Sequence, residues 1–363
     1  AAVALELIKA RRKATVKFPG RAETLIADAA GVEQASSLAV ARHKAGRFRD
    51  AGFSQITDVC CGIGGDAMGL SAAGLSVAAV DLDPVRAWMA GLNAGCTMRV
   101  ADAAELLTQT LPGIAGVTAM HVDPARRTDA GRVFRLNDYQ PGPATLLQLL
   151  DRFPDAGIKL SPAVNLDELE AFIPTFRNDQ GGGGRELEFI SEAGRLVQAV
   201  LWTGRLARPD TPRSATLIVG ERSRTVAGVP SEPGFSLPQR YLFTVDAAAE
   251  RAGLLHTFGL PAIHPRLGLL TSDLPDPHTN PWLTGFELLA ELPWHSHEPK
   301  KVRDWLHAHD AGIVEVKTRG KAVDPDHAQR QLRGPGVTPY TVFVLRFDQR
   351  LAALITRRLP NTA

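Results

Sequence analysis

A carboxylate, Asp58, stands directly before a glycine turn in the run Asp58-Val59-Cys60-Cys61-Gly62-Ile63-Gly64-Gly65-Asp66. A second carboxylate, Asp81, closes the apolar run Val77-Ala78-Ala79-Val80 and is followed by Leu82-Asp83-Pro84. Glycines in such a turn remove the Cβ atoms that would block a ligand lying across it. Backbone N–H groups at the start of the following helix then face that ligand. A carboxylate at the tip of the second strand can accept both hydroxyls of a ribose. The implied ligand is nucleotide-like. The dinucleotide fingerprint fits poorly, because the third glycine of Gly62-Ile63-Gly64-Gly65-Asp66 is misplaced.

The elements that must position these groups can be read around them. The apolar lead at 56–59, the glycine turn and Ala67-Met68-Gly69-Leu70-Ser71-Ala72-Ala73 predict strand, tight turn and helix. Asp58 at the end of that strand would repel a pyrophosphate but suits a cation. S-Adenosylmethionine, with an ammonium, a sulfonium and no phosphate, is such a ligand. Two more strands end in acids: Met98-Arg99-Val100-Ala101-Asp102-Ala103, and Val117-Thr118-Ala119-Met120-His121-Val122-Asp123-Pro124-Ala125-Arg126-Arg127.

These four segments, in order, resemble the motifs of the class I methyltransferases. The resemblance implies a cofactor turn at Asp58, Cys60, Gly62, Gly64 and Asp66, with Cys60 where a glycine is commoner. It implies ribose binding by Asp81 beside Leu82, and adenine binding by Asp102 and Ala103. It places the methyl acceptor at Asp123-Pro124-Ala125-Arg126, with Asp123 also beside the cofactor. Three further segments narrow the likeness: Lys17-Phe18-Pro19, Asp123 to Arg127, and Val314-Glu315-Val316-Lys317-Thr318-Arg319-Gly320 followed by Val323-Asp324-Pro325. Together they resemble a bacterial family joining a class I methyltransferase to a ferredoxin-like module and a C-terminal THUMP-like domain. The implied fold is α/β: a doubly wound, Rossmann-like methyltransferase sheet with an antiparallel edge hairpin, plus smaller α+β modules. The expected divisions are an N-terminal helical segment at 1–50, the methyltransferase domain at 51–220, the ferredoxin-like module at 221–290 and the THUMP-like domain at 291–363.

The chain of 363 residues is long enough for two or three domains. No apolar run reaches the length of a membrane span, and no signal peptide is visible. Three cysteines, two of them adjacent, make no disulfide framework, which points to a reducing cytoplasm. The net charge of +2 does not by itself argue for nucleic acid. Its distribution says more: from Lys300 onward twelve Lys and Arg face six Asp and Glu. A basic domain of that kind is a plausible reader of a phosphate backbone.

Residues 1–50 show helical spacing interrupted by Phe18-Pro19-Gly20, and 51–205 alternate short strands with helices, which predicts a mostly parallel sheet. Glu186-Leu187-Glu188-Phe189-Ile190 and Leu196-Val197-Gln198-Ala199-Val200-Leu201-Trp202 flank Glu192-Ala193-Gly194 and predict a hairpin. The glycine run at 181–184 reads as a flexible loop. Residues 209–238 read as a connection around one short strand.

Methyl transfer from a sulfonium is a displacement that needs alignment of nucleophile, methyl carbon and sulfur, with water excluded. In amino-methylating relatives the acceptor motif continues with a second proline and an aromatic that stacks on the base. Here Ala125 and Arg126 replace them, and an arginine plane can stack on a base or pair with phosphate. An ion pair of Arg126 or Arg127 with Asp129 or Asp138 is the competing account. Cys60 and Cys61 read as packed apolar groups rather than nucleophiles. The pairs His295/His297 and His307/His309 read as structural or surface histidines, so no metal is expected. Lys17 and Phe18 read as a structural turn, and His121 as a core residue. The sequence reading is an S-adenosylmethionine-dependent methyltransferase acting on RNA, with a guanine exocyclic amine as acceptor. Its rivals are a noncatalytic cofactor-binding RNA-binding or assembly factor, and a small-molecule or protein methyltransferase.

Overall fold

The computed structural model describes residues 2–109, 114–126, 136–172, 184–275, 280–295, 299–319 and 322–360. The chain divides into two units, Ala1–Val229 and Pro230–Ala363. The first opens with three helices, α1 (Ala2–Lys17), α2 (Ala29–Gln34) and α3 (Leu38–Asp50). Asp28 caps α2 by accepting from Gly31 N at 2.6 Å, and Ser37 caps α3 by accepting from Val40 N. Alternation then follows: β1 (Gln55–Val59), α4 (Gly65–Ala72), β2 (Ser76–Asp81), α5 (Pro84–Ala94), β3 (Thr97–Val100), α6 (Glu105–Thr108) and β4 (Ala119–Val122). After the short antiparallel pair β5 (Ala125–Arg126) and β6 (Tyr139–Gln140) come α7 (Pro143–Arg152), β7 (Asp155–Leu160) and α8 (Leu166–Phe172). The unit ends with β8 (Arg185–Glu192), β9 (Arg195–Thr203), β10 (Arg213–Val219) and β11 (Arg222–Gly228).

These strands form one nine-stranded sheet in the order β11-β10-β8-β9-β7-β4-β1-β2-β3. Strands β3, β2, β1, β4 and β7 run parallel, so their carboxyl ends share one edge. That edge is where an open α/β sheet binds ligands. The α/β class expected from the sequence holds, and the antiparallel hairpin is β8 with β9. The sheet also runs past the hairpin. Residues 209–238, expected to hold one short strand, supply both β10 and β11. The signal was weak because β10 is buried along nearly its whole length while β11 is mostly polar and exposed. Apolar residues at helical spacing on α3 (Val40, Ala45, Phe48) pack with Ile56, Leu70 and Trp202, and Phe48 meets Trp202 edge-on at 5.8 Å. A second cluster joins Ala14, Phe18, Leu25 and Val32 to Ile63 and Met68. The N-terminal segment is thereby packed against the glycine turn, and Phe18 is a core residue.

The second unit contains β12 (Tyr241–Val245), α9 (Ala247–Ala252), β13 (Leu269–Ser272), β14 (Leu283–Pro293), α10 (Lys300–Ala308), β15 (Ala311–Arg319), α11 (Pro325–Leu332), β16 (Thr338–Phe347) and β17 (Arg350–Arg358). Its six strands form one sheet, ordered β13-β12-β14-β17-β16-β15. Helix α9 stops at Ala252, where Gly253 adopts a left-handed φ of 74° as the cap. Alternate residues of β16 enter two cores. Val342 and Val344 pack with Val302, Leu306, Ala328 and Leu332 of the two helices, while Phe343 and Leu345 pack with Leu242, Leu269 and Phe286. Among the described residues, no helix is long and apolar enough to cross a membrane.

Candidate functional site

A cleft of about 700 Å³ opens at the carboxyl edge of the parallel strands. The turn after β1 forms its floor. Cys60, Gly62 and Gly64 all take left-handed φ values, 57°, 56° and 83°. A non-glycine residue is uncommon there, so Cys60 holds a conformation that glycine would adopt without strain. Gly64 is needed for a second reason. A Cβ on it would lie 2.8 Å from Ala90 Cα of α5, so the turn sits directly on that helix. Gly64 therefore serves packing and does not line the cleft, whereas Cys60 and Gly62 do.

Asp81 at the end of β2 reaches back over this turn. Its Oδ2 accepts from Gly62 N at 2.8 Å and its Oδ1 from Asp83 N at 3.0 Å. Each oxygen keeps a further lone pair for a ligand hydroxyl. Asp83 in turn caps α5, with Pro84 in its first turn. Leu82 stands exposed at the rim. Beyond β3, Asp102 Oδ1 accepts from Ala104 N at 2.8 Å, and Asp102 N donates to Glu105 Oε1 at 2.9 Å. Asp102 and Ala103 form the next part of the wall.

Beneath the turn lies a buried charge network. Asp58 Oδ1 is 2.7 Å from His121 Nδ1, and His121 Nε2 is 3.0 Å from Lys44 Nζ. An ammonium has only donors, so Nε2 is the acceptor and Nδ1–H donates to Asp58. Lys44 Nζ also lies 2.6 Å from Asp66 Oδ1, while Asp66 Oδ2 accepts from Ser36 Oγ at 2.9 Å. Burial pushes Asp66 up, but the charge of Lys44 chiefly outweighs it and holds the carboxyl below its usual range. Asp58 goes the other way: burial raises it further than its bond to His121 lowers it. Burial lowers Lys44, against the pull of Asp66. Asp58 Oδ2 is buried without a hydrogen-bond partner.

Asp123 and Pro124 follow β4 and line the opposite end of the cleft. Asp123 N donates to Val59 O at 3.1 Å, and its Oδ2 pairs with Lys159 Nζ of β7 at 2.6 Å. Lys159 also donates to Gln34 O at 3.2 Å. Arg126 pairs through its backbone with Tyr139, and its side chain, like Arg127 and Asp129, lies outside the described part of the structure. Gln140 and Pro141 close this end.

The thiols are poor nucleophiles. Burial, then the carboxylates Asp81 and Asp58 respectively, raise Cys60 and Cys61 well above the ordinary thiol range. Burial also pushes Cys96 up to about 11. His309 stacks on Trp305 with ring centres 3.7 Å apart, and its Nδ1 lies 2.7 Å from Trp305 O. His297 lies outside the described residues, among which no group of three or more potential metal ligands occurs. Lys17 clasps the end of α2 through the carbonyls of Val32, Glu33 and Ala35 at 2.9, 2.6 and 2.9 Å.

Sequence reasoning missed Lys44, Ser36, Gly31, Gln34 and Lys159. Two of these carried a signal: Lys44 interrupts the apolar face of α3, and Lys159 interrupts the apolar run of β7. Gly31 carried none. A Cβ there would meet Arg86 Nη1 at 2.3 Å and Ile63 Cγ2 at 2.5 Å, so α2 can approach the turn only through a glycine.

Residues 283–358 match the family model described as THUMP domain-like. An uncharacterised S-adenosylmethionine-dependent methyltransferase of Mycobacterium tuberculosis, found in strains CDC 1551 / Oshkosh and ATCC 25618 / H37Rv, is 32% identical over 334 residues. The match covers 90% of this chain and 86% of that protein. A crystal structure from Porphyromonas gingivalis W83, described as a methyltransferase, superposes with a TM-score of 0.76 over 99% of this chain and 90% of that one, at 18% identity. That second likeness is one of fold. The chain belongs to the class I S-adenosylmethionine-dependent methyltransferases, in the family that carries a C-terminal THUMP-like domain. It is an enzyme, and its cofactor is S-adenosylmethionine.

Proposed function

We propose that the enzyme methylates RNA and that the acceptor, a guanine exocyclic amine, is held at Asp123. The observation that carries this reading is that Asp123 and Pro124 open into the same cleft as Asp81 and the glycine turn. Bound S-adenosylmethionine supplies an electrophilic methyl carbon. Asp58, with its unpartnered buried oxygen, supports a role in taking the cofactor's ammonium. Asp81 accepts the ribose hydroxyls beside Cys60, Gly62 and Leu82, and Asp102 with Ala103 meets the adenine. Asp66 acts from below, through Lys44 and His121, by keeping the turn in place. Gly64 contributes by letting the turn sit on α5.

Asp123 then accepts an acceptor N–H, fixes the nitrogen for attack and takes up its proton directly or through water. Arg126 is assigned to stacking or phosphate pairing on its sequence position alone. The THUMP-like domain and its exposed Lys301, Arg330, Arg333, Arg346 and Arg358 support RNA as the substrate. The test is transfer of labelled methyl to total RNA from a strain lacking the gene, followed by mass spectrometry of nucleosides. Methylguanosine labelled on the exocyclic nitrogen is expected. Asp123→Ala should lower turnover about 100-fold while leaving cofactor affinity in place. Label confined to protein or metabolite fractions would overturn the RNA reading.

A further inference from the structure

Lys159 occupies an unusual position in this cleft. It is a cationic side chain in a strand otherwise apolar over Ala156, Gly157, Ile158 and Leu160, and little of it is exposed. A lysine in such a place costs desolvation unless it is paired. Its Nζ joins two parts of the site that are far apart in sequence. One is the Asp123 carboxylate, at 2.6 Å. The other is the carbonyl of Gln34, the last residue of α2, at 3.2 Å.

The end of α2 is itself a wall of the cleft, through Gly31, Gln34, Ala35 and Ser36. Its terminal carbonyls, which a helix leaves without internal partners, are taken by two lysines. Lys17 takes those of Val32, Glu33 and Ala35, and Lys159 takes that of Gln34 between them. The charge of Lys159 is felt at Lys17, whose ammonium is disfavoured first by burial and then by Lys159. Asp123 uses Oδ2 for Lys159, and its side chain, 31% exposed, lines the cleft.

We propose that Lys159 is a positioning residue: it aims Asp123 at the methyl acceptor and ties that carboxylate to the α2 wall of the cofactor cleft. The inference rests on the reading that the acceptor sits at Asp123. A carboxylate anchored through one oxygen presents the other in a fixed direction, and displacement methyl transfer is sensitive to such alignment. Lys159 does not itself touch the acceptor in this scheme. Its loss should therefore appear in turnover rather than in cofactor binding.

The experiment compares the full-length wild type with Lys159→Met, Lys159→Arg, Asp123→Ala and the Asp123→Ala/Lys159→Met double variant. Labelled methyl transfer is measured into the RNA, protein and small-molecule fractions of a strain lacking the gene, and kcat and KM are taken on the fraction that accepts label. Cofactor affinity is measured by calorimetry. Lys159→Met should lower kcat about 10- to 100-fold with cofactor affinity retained. Lys159→Arg, which keeps a cation able to donate to both oxygens, should recover part of that loss. The double variant should be no worse than Asp123→Ala, because both changes remove one interaction.

Full turnover in Lys159→Met with an inactive Asp123→Ala would overturn the role of Lys159 and leave the acceptor reading standing. Full turnover in Asp123→Ala would overturn the acceptor reading itself. Loss of cofactor binding in Lys159→Met, unrescued by Lys159→Arg, would reduce Lys159 to a structural pair, and label in no fraction would overturn both.

Discussion

In the unit spanning Ala1–Val229, Lys44, Asp58, Asp66, His121, Glu186 and Glu188 are buried and bonded to one another or to neighbouring side chains. In the unit spanning Pro230–Ala363 the buried polar residues, among those described, are the threonines Thr271, Thr341 and Thr356. Ion pairs such as Lys300–Asp304 and Arg350–Glu291 stand at its surface, while Arg319–Glu250 is partly buried. The two sheets are thus built on different terms. Buried charge costs stability unless every member is paired, so its presence in one unit marks where geometry has to be held. The other unit keeps most of its basic side chains at the surface, Lys301, Arg330, Arg333, Arg346 and Arg358 among them, where they can meet a polyanion without prior desolvation. A site for chemistry and a surface for binding are what these two arrangements suit.

The sharpest way to break that comparison is to cut the buried network. Lys44→Met leaves Asp66 with Ser36 as its close partner and removes the donor to His121 Nε2. Removing one member of a buried pair typically costs about 3–5 kcal/mol, so urea unfolding of the variant should show a loss of that size. Adding Asp66→Asn should cost less than the sum of the two single changes, since the same interaction is lost twice. A loss within the range of surface substitutions would mean that the network is incidental to the fold.

A smaller effect is expected at Asp81, where the loss falls on binding. Its oxygens hold Gly62 N and Asp83 N and are assigned two ribose hydroxyls. Each charged hydrogen bond lost is worth about 1.5–3 kcal/mol. Asp81→Ala should therefore weaken cofactor binding at least about tenfold, measured by calorimetry at constant salt. Unchanged affinity would remove Asp81 from the site.

Much of the candidate site's layout was legible because residues lining the cleft sit on local patterns. Asp58, Asp81, Asp102 and Asp123 each end an apolar run, and a strand end on a parallel sheet is a predictable place. The glycine turn carried its own signal, although Gly64 turned out to serve contact with Ala90 rather than the cleft. What was not legible came from long-range pairing. Lys44 and Lys159 face partners distant in sequence, and periodicity reports only that a face is buried, not what a lysine on it meets. The extension of the sheet through β10 and β11 was obscured for a related reason. Arg222, Ser223 and Arg224 have the composition of a loop, and only pairing with β10 makes them a strand. The same blindness applies to Glu186 and Glu188. The sequence marks them only as members of a hairpin strand, and the fold brings Arg47, His43 and Trp202 over them.

The smallest effects on stability, and the clearest contrast, are expected in the second unit. Lys300 and Asp304 form an i, i+4 pair at 2.5 Å on α10 with both side chains more than half exposed. An exposed pair of this kind adds little to stability, and salt screens it. Lys300→Ala should therefore leave the unfolding midpoint nearly unchanged. Lys301, which neighbours it on the same helix and is exposed, should behave alike in stability. Binding is where such residues should differ from silent surface. If the domain holds a phosphate backbone, affinity for RNA must fall steeply with salt through counterion release, and each lysine that contacts a phosphate contributes about 0.7–0.9 to the slope of log affinity against log salt. Lys301→Ala should flatten the slope by about that amount without moving the unfolding midpoint. Truncation is the wrong instrument here, because removing the chain from Lys300 onward would take β15, β16 and β17 out of a single six-stranded sheet. A set of single substitutions in the full chain, at Lys301, Arg330, Arg333, Arg346 and Arg358, keeps the sheet and reads the surface. Slopes identical to wild type across the whole set, with RNA bound as before, would move the binding surface elsewhere and break the division of labour between buried and exposed charge.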